Sequence, residues 1–164
     1  MCRKSERNTA TVMITYRVTF PVQEVLTECM EQVSLDFRAI RATAGTDADS
    51  SYDDFILSAD EREPFAAEFL SQATALCADY PAMLRPLILS EVRLSADVSL
   101  SRMMPLESVG RMLKDCMKAR MLGWWYRLRN AGLSEKYEVK AAEAGERLMS
   151  AFNPGCTVRR LRYF

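Results

Sequence analysis

Apolar and polar residues alternate at the start of the chain. Val12, Ile14, Tyr16, Val18 and Phe20 are separated by Met13, Thr15, Arg17 and Thr19. A period of two on β-branched and aromatic residues predicts a strand over 12–20 with one buried face. The period then changes. Val22, Val25, Leu26, Cys29, Met30, Val33, Phe37 and Ile40 recur at spacings of three and four. That spacing predicts an amphipathic helix, with Pro21 suited to its first turn because a proline there forfeits no hydrogen bond.

Residues 42–59 are rich in Gly, Asp, Ser and Thr and read as a loop, pinned to the core by Tyr52, Phe55, Ile56 and Leu57. Asp60-x-x-Glu63 resembles a capping box, with Ser58-x-x-Glu61 as the alternative frame. Pro64 is tolerated only in a first turn, so a second helix starts near 59–63. Phe65, Phe69, Leu70, Ala73, Leu76, Cys77 and Tyr80 form its stripe; Pro81 kinks or ends it and Pro86 blocks further helix. Residues 87–100 are ambiguous. Ile88, Val92, Leu94, Val98 and Leu100 favour a strand or a bent ribbon, which would pair with the first strand because an isolated strand is unstable. Pro105 opens a third helix with a stripe from Leu106 to Leu128. Asn130-Ala131-Gly132 reads as its C-cap. Ser134 would cap a fourth helix carrying Tyr137, Ala141, Ala144, Leu148 and Phe152, stopped by Asn153-Pro154-Gly155. The expected fold class is mainly α (α+β): a four-helix bundle-like domain with a minor two-stranded antiparallel sheet, in the order β-α-α-β-α-α. Residues 1–12 are expected to be a disordered leader, 13–155 a single helical domain, and 156–164 an Arg/aromatic tail.

Composition narrows the chemistry. Of 164 residues, 49% are apolar and 27% charged, ordinary values for a globular protein. The longest run without Asp, Glu, Lys or Arg is 148–158, too short and too broken for a membrane span. The 22 basic and 22 acidic side chains cancel. They are not evenly spread: residues 1–82 hold 7 basic and 14 acidic, and residues 83–164 hold 15 basic and 8 acidic. An acidic half and a basic half point to an interaction surface. The absence of His excludes Ser-His and Cys-His pairs, imidazole metal ligands and an imidazole pH switch.

Five cysteines, Cys2, Cys29, Cys77, Cys116 and Cys156, form no C-x-x-C. Cys29, Cys77 and Cys116 fall on apolar helix faces and read as small buried hydrophobes. Cys156, beside Arg159 and Arg160, is a poor candidate for a reactive thiol. The acidic loop with Asp47, Asp49, Asp53 and Asp54 invites a calcium reading. It fails as an EF-hand, because Tyr52 would replace the turn glycine and Ser58 the bidentate glutamate. Asp60, Glu61 and Glu63 are explained by a helix N-terminus. No phosphate-binding glycine loop, nucleophile elbow or S-x-x-K is present. The third helix is basic, with seven Lys/Arg against Glu107 and Asp115 between 102 and 129. Trp124, Trp125 and Tyr126 follow in its last turns. Cations beside aromatics can bind nucleic acid, but at least one Trp is expected in the core. Met103, Met104, Met112, Met117 and Met121 read as core filling.

The segment order carries a resemblance. A strand leading into a helix over 14–40 is followed by Tyr52-Asp53-x-Phe55-x-Leu57-x-x-Asp60 and a helix with Phe65 and Phe69. Then come a strand-like stretch, a long helix with Trp125-Tyr126, an Ala-rich helix and the tail at 159–164. In this pattern, over roughly 13–164, the chain resembles an uncharacterised family of small proteins encoded among the virion-assembly genes of bacteriophages and prophages of gut anaerobes. It departs from the pattern in Pro64, Pro81 and Pro86. The resemblance implies a structural, head–tail connector-like role, with no catalytic residues to transfer.

The expected function is therefore a non-enzymatic assembly protein, with no cofactor, metal or membrane partner. It would form a homo-oligomeric ring and contact other virion proteins. Partner binding is expected at Asp47, Asp49, Asp53 and Asp54 on one side. On the other are Arg111, Lys114 and Lys118 of the third helix and Arg159, Arg160, Arg162, Tyr163 and Phe164 of the tail. A DNA-associated or regulatory module using the basic third helix is the alternative.

Overall fold

The computed structural model describes residues 13–44 and 56–152. Strand β1 (Ile14–Pro21) runs straight into helix α1 (Val22–Ala44). A 3-10 turn (Ala59–Glu61) precedes α2 (Arg62–Asp79). A hairpin of β2 (Leu84–Leu89) and β3 (Arg93–Leu100) leads to α3 (Leu106–Tyr126) and α4 (Ala131–Phe152). The fold is mainly helical, as expected, with four helices. The sheet has three strands rather than two, and the order is β-α-α-β-β-α-α. The ambiguous ribbon is a hairpin whose first arm begins earlier than its apolar residues signal. Its turn is closed by Ser90, whose Oγ accepts from the amides of Val92 and Arg93 at 3.3 and 3.1 Å.

All pairing is antiparallel, in the order β1-β3-β2. β1 alternates as its sequence predicts. Val18 and Phe20 are buried and lie opposite Ala96 and Leu94 on one face. On the other face three successive pairs are polar and bonded: Thr15 with Ser99, Arg17 with Asp97, and Thr19 with Ser95. Pro86 sits in the edge strand β2, next to a register shift between Pro86 and Ile88. An edge tolerates a missing N–H that a central strand would not.

Helix termini depart from expectation in instructive ways. Pro21 is the last strand residue, and the first N–H of α1, at Val22, is taken by the Val92 carbonyl at 2.9 Å. Neither capping box forms: Ser58 and Glu61 make no side-chain cap bond, and the 3-10 turn is closed by the Glu61 amide on the Ser58 carbonyl. Asn130 caps the start of α4 through its side chain, accepting from Leu133 N at 2.9 Å, instead of ending α3. Ser134 is then interior to α4 and buried, its hydroxyl donating to the Gly123 carbonyl at 3.1 Å. That bond ties α3 to α4 at their tight connection. Leu128 falls in the connection and is 93% exposed, outside the stripe.

α3 is the hub, touching α1, α2, α4 and β1. Val109, Leu113, Cys116, Met117, Met121, Leu122, Trp125 and Tyr126 on it are all buried. Each large apolar side chain so buried contributes about 1.5–3 kcal/mol relative to exposure. Trp124 is half-buried and meets Phe65 of α2 edge-on at 6.4 Å. Met117 and Met121 fill the core, as expected, whereas Met103 is exposed.

Candidate functional site

The charged flank of α3 faces α1. Glu24 and Glu28 lie one turn apart on α1, and Lys114 and Lys118 lie one turn apart on α3. Lys114 Nζ meets Glu24 at 2.6 Å and Glu28 at 2.8 Å; Lys118 meets Glu28 at 3.6 Å. Burial pushes the Glu28 carboxyl up, but the hydrogen bond and charge of Lys114, with Lys118, outweigh it and hold Glu28 below its ordinary value. The same bonds raise Lys114. Further along α3, Arg120 pairs with Asp79 of α2 at 2.8 Å. Arg129 stacks its guanidinium 3.6 Å over the Trp125 ring. Two of the three α3 residues expected to bind a partner are thus paired within the chain, to acids of α1 rather than to the acidic loop.

The third, Arg111, is exposed on a groove of about 330 Å³ at the end of the sheet. Val18, Thr19 and Phe20 of β1 form one wall. Side chains of a strand alternate between faces. Three consecutive residues can therefore line one groove only along the strand's edge, and it is the edge opposite β3. Glu107, Gly110, Arg111 and Lys114 of α3 form the other wall, with Glu24 closing one end. Glu107 and Arg111 form no ion pair with another described residue.

Asp47, Asp49, Asp53, Asp54, Arg159, Arg160, Arg162, Tyr163 and Phe164, together with the expected leader, lie outside the described residues. So do Cys2 and Cys156. The other three cysteines are buried and free. Burial raises all three thiols, Cys29 to about 12.

One polar constellation was not anticipated. Asp36 of α1 is 6% exposed. Its carboxylate accepts from Tyr137 Oη of α4 at 2.5 Å, Tyr126 Oη of α3 at 3.2 Å and Lys136 Nζ at 3.2 Å. Gln32, one turn earlier, donates to the same carboxylate at 3.4 Å. The two tyrosine rings stack at 5.7 Å. Burial first, and the neighbouring carboxylate second, raise both phenols well above their ordinary value. With every lone pair engaged, the group works as a clasp holding three helices. The signal was present in sequence: Asp36 lies three residues after Val33 and four before Ile40, inside an otherwise apolar stripe.

Two other grooves flank α3 and α4. One, of about 300 Å³, carries both signs of charge, with Lys118, Lys140 and Arg147 opposed by Asp115 and Glu143. The other, of about 380 Å³, lies between Arg120, Trp124 and Glu138. Among the described residues no three His, Cys, Asp or Glu side chains gather as a metal site, and no helix is long and apolar enough to cross a membrane.

No family model, curated protein or solved structure matches this chain.

Proposed function

We propose that this protein acts without catalysis, as an assembly protein that works by protein–protein contact and self-associates. The observation that carries this reading is the exposed apolar surface of the β2–β3 hairpin. Leu87 and Ile88 are each 40% exposed and Val92 71%. Three large apolar side chains exposed on one hairpin are better suited to a partner than to water. The setting suggested by the segment pattern is a phage or prophage particle, at a head–tail connector or tail-completion position. A ring built on opposite charges would bring the acidic loop residues of one copy to the arginine tail of the next. A head-to-tail contact of that kind closes when its rotation permits.

Light scattering across protein concentration and ionic strength tests the reading. A defined homo-oligomer is expected, weakening with salt where charge contributes. A monomer under every condition would overturn it.

The alternative, a nucleic-acid module on the basic helix, is disfavoured by the partners of its cations. Lys114, Lys118 and Arg120 are engaged by Glu24, Glu28 and Asp79. Trp125 is buried under Arg129 and offers no stacking face to a base.

A further inference from the structure

The two edges of the sheet are treated differently. A strand edge is a template for pairing with another chain, and proteins guard it with proline, bulges or charge. β2 is guarded: Pro86 interrupts it and its register slips beside that proline. β1 is not. It pairs with β3 in unbroken register over eight residues, and its only proline is the last residue. Among the described residues, no strand lies on its outer edge.

The helix bordering that edge is shaped for close approach. Gly110 lies in the interior of α3, where glycine is less favourable than alanine by about 1 kcal/mol. Its own packing does not require it: a Cβ at 110 would sit 3.7 Å from Val18, an ordinary contact. The missing side chain therefore leaves open space in the groove without relieving any crowding. Glu107 and Arg111, one helical turn apart, stand on either side of it.

We propose that a second copy of this chain docks at this groove through a two-fold contact, pairing β1 antiparallel with its counterpart. This rests on the self-association proposed above and adds a second surface to it, on the sheet edge away from the β2–β3 hairpin. Val18 would lie on the axis, with Tyr16 opposite Phe20 and Arg17 opposite Thr19 across it. Every inward residue then meets an inward residue, and the two sheets join into one of six strands. A two-fold contact is self-complementary: if one residue meets another, the reverse also holds. The two α3 helices run antiparallel and cross beside Val109 and Gly110, placing Glu107 of each copy opposite Arg111 of the other. The contact is thus neutral in pairs and uses charges that no other described residue pairs.

The test is the mass of the full chain by light scattering at low salt, with Arg111→Glu, Gly110→Leu and the swap Glu107→Arg/Arg111→Glu. The single Arg111→Glu change puts two glutamates against two and is expected to weaken association about tenfold, since like charges across an interface oppose it. Gly110→Leu fills the groove and is expected to give monomer. The swap is expected to restore association to near the parent level, which only a self-complementary contact does. Arg111 is exposed, so its variants report on association without loss of fold, and a thermal melt checks this for Gly110→Leu. If the parent associates and none of the variants changes its mass, the contact lies elsewhere and assembly survives. A parent that is monomeric at all concentrations overturns both. A monomer whose β1 amides resist hydrogen exchange shows the edge covered by the chain's own residues, and also overturns the two-fold contact.

Discussion

The Tyr137 hydroxyl donates to Asp36 Oδ2 at 2.5 Å, joining α4 to α1 across 101 positions of sequence. Tyr126 of α3 reaches the same oxygen. One carboxylate therefore joins three helices at a single buried point. Asp36→Ala would leave two buried hydroxyls and a lysine without their acceptor. Such a change is expected to destabilise the fold by about 3 kcal/mol. Urea unfolding checks it, and a loss no larger than that of a surface substitution would contradict the clasp.

Alkaline pH should loosen the same clasp. Tyr126 and Tyr137 have phenols raised above the ordinary 10.0 by burial and by Asp36. A group whose folded pKa is raised contributes stability that is fully present below its unfolded value and is lost as pH rises toward the folded one. Stability should therefore hold to about pH 10 and then fall, by about 1.4 kcal/mol per pH unit for each such tyrosine. Tyrosinate absorbance should show Tyr126 and Tyr137, and also Tyr80, which burial raises, ionising later than an exposed tyrosine. Tyr126→Phe should shallow the decline; ionisation of all six together near pH 10 would refute the expectation.

The ladder between α1 and α3 should behave as a partly exposed ion network. Lys114→Met removes the group shared by Glu24 and Glu28 and is expected to lower stability by about 1 kcal/mol at low salt. The difference from the parent should shrink in 1 M salt as the charges are screened. Glu28 has the opposite pH sign to the tyrosines. Its depressed pKa contributes stability above the ordinary 4.5 that is lost as pH falls through the folded value. An unchanged salt dependence in the variant would count against the ladder.

Gly145 of α4 is required by a neighbour. A Cβ there would come within 2.5 Å of Tyr80 Oη and 3.5 Å of its Cζ. Gly145→Ala should therefore fail to deliver the gain of about 1 kcal/mol that alanine normally brings to a helix interior. In a Tyr80→Phe background the hydroxyl is gone and the remaining contact is ordinary, so the same change should stabilise. A double-mutant cycle by thermal unfolding measures this coupling; additivity of the two changes would refute it.

Much of the fold was legible in the chain. The alternation from Ile14 to Phe20 and the stripe from Val22 to Val33 depend only on which residues share a face, and local periodicity determines that. Prolines placed the start of α2 and α3 and the end of α2 because a missing N–H and a fixed φ act locally. Burial of Cys29, Cys77 and Cys116 followed from the same stripes.

Other features were decided between elements. β2 carries Pro86 and exposed Leu87 and Ile88, a poor strand on its own, and exists because β3 supplies its partners. Ser134 resembled a cap, but Asn130 took that place once α4 packed against α3 and buried the serine beside Gly123. The cations of α3 looked like a free basic surface, yet Lys114 and Lys118 met Glu24 and Glu28 some ninety residues earlier. Sequence by itself determined which faces are apolar and where helices can start, since those are properties of a few adjacent residues. Only the tertiary structure decided which charges of the described residues pair, which buried carboxylate is satisfied and which strand borders α3. Those outcomes depend on distances between residues that the linear order does not contain.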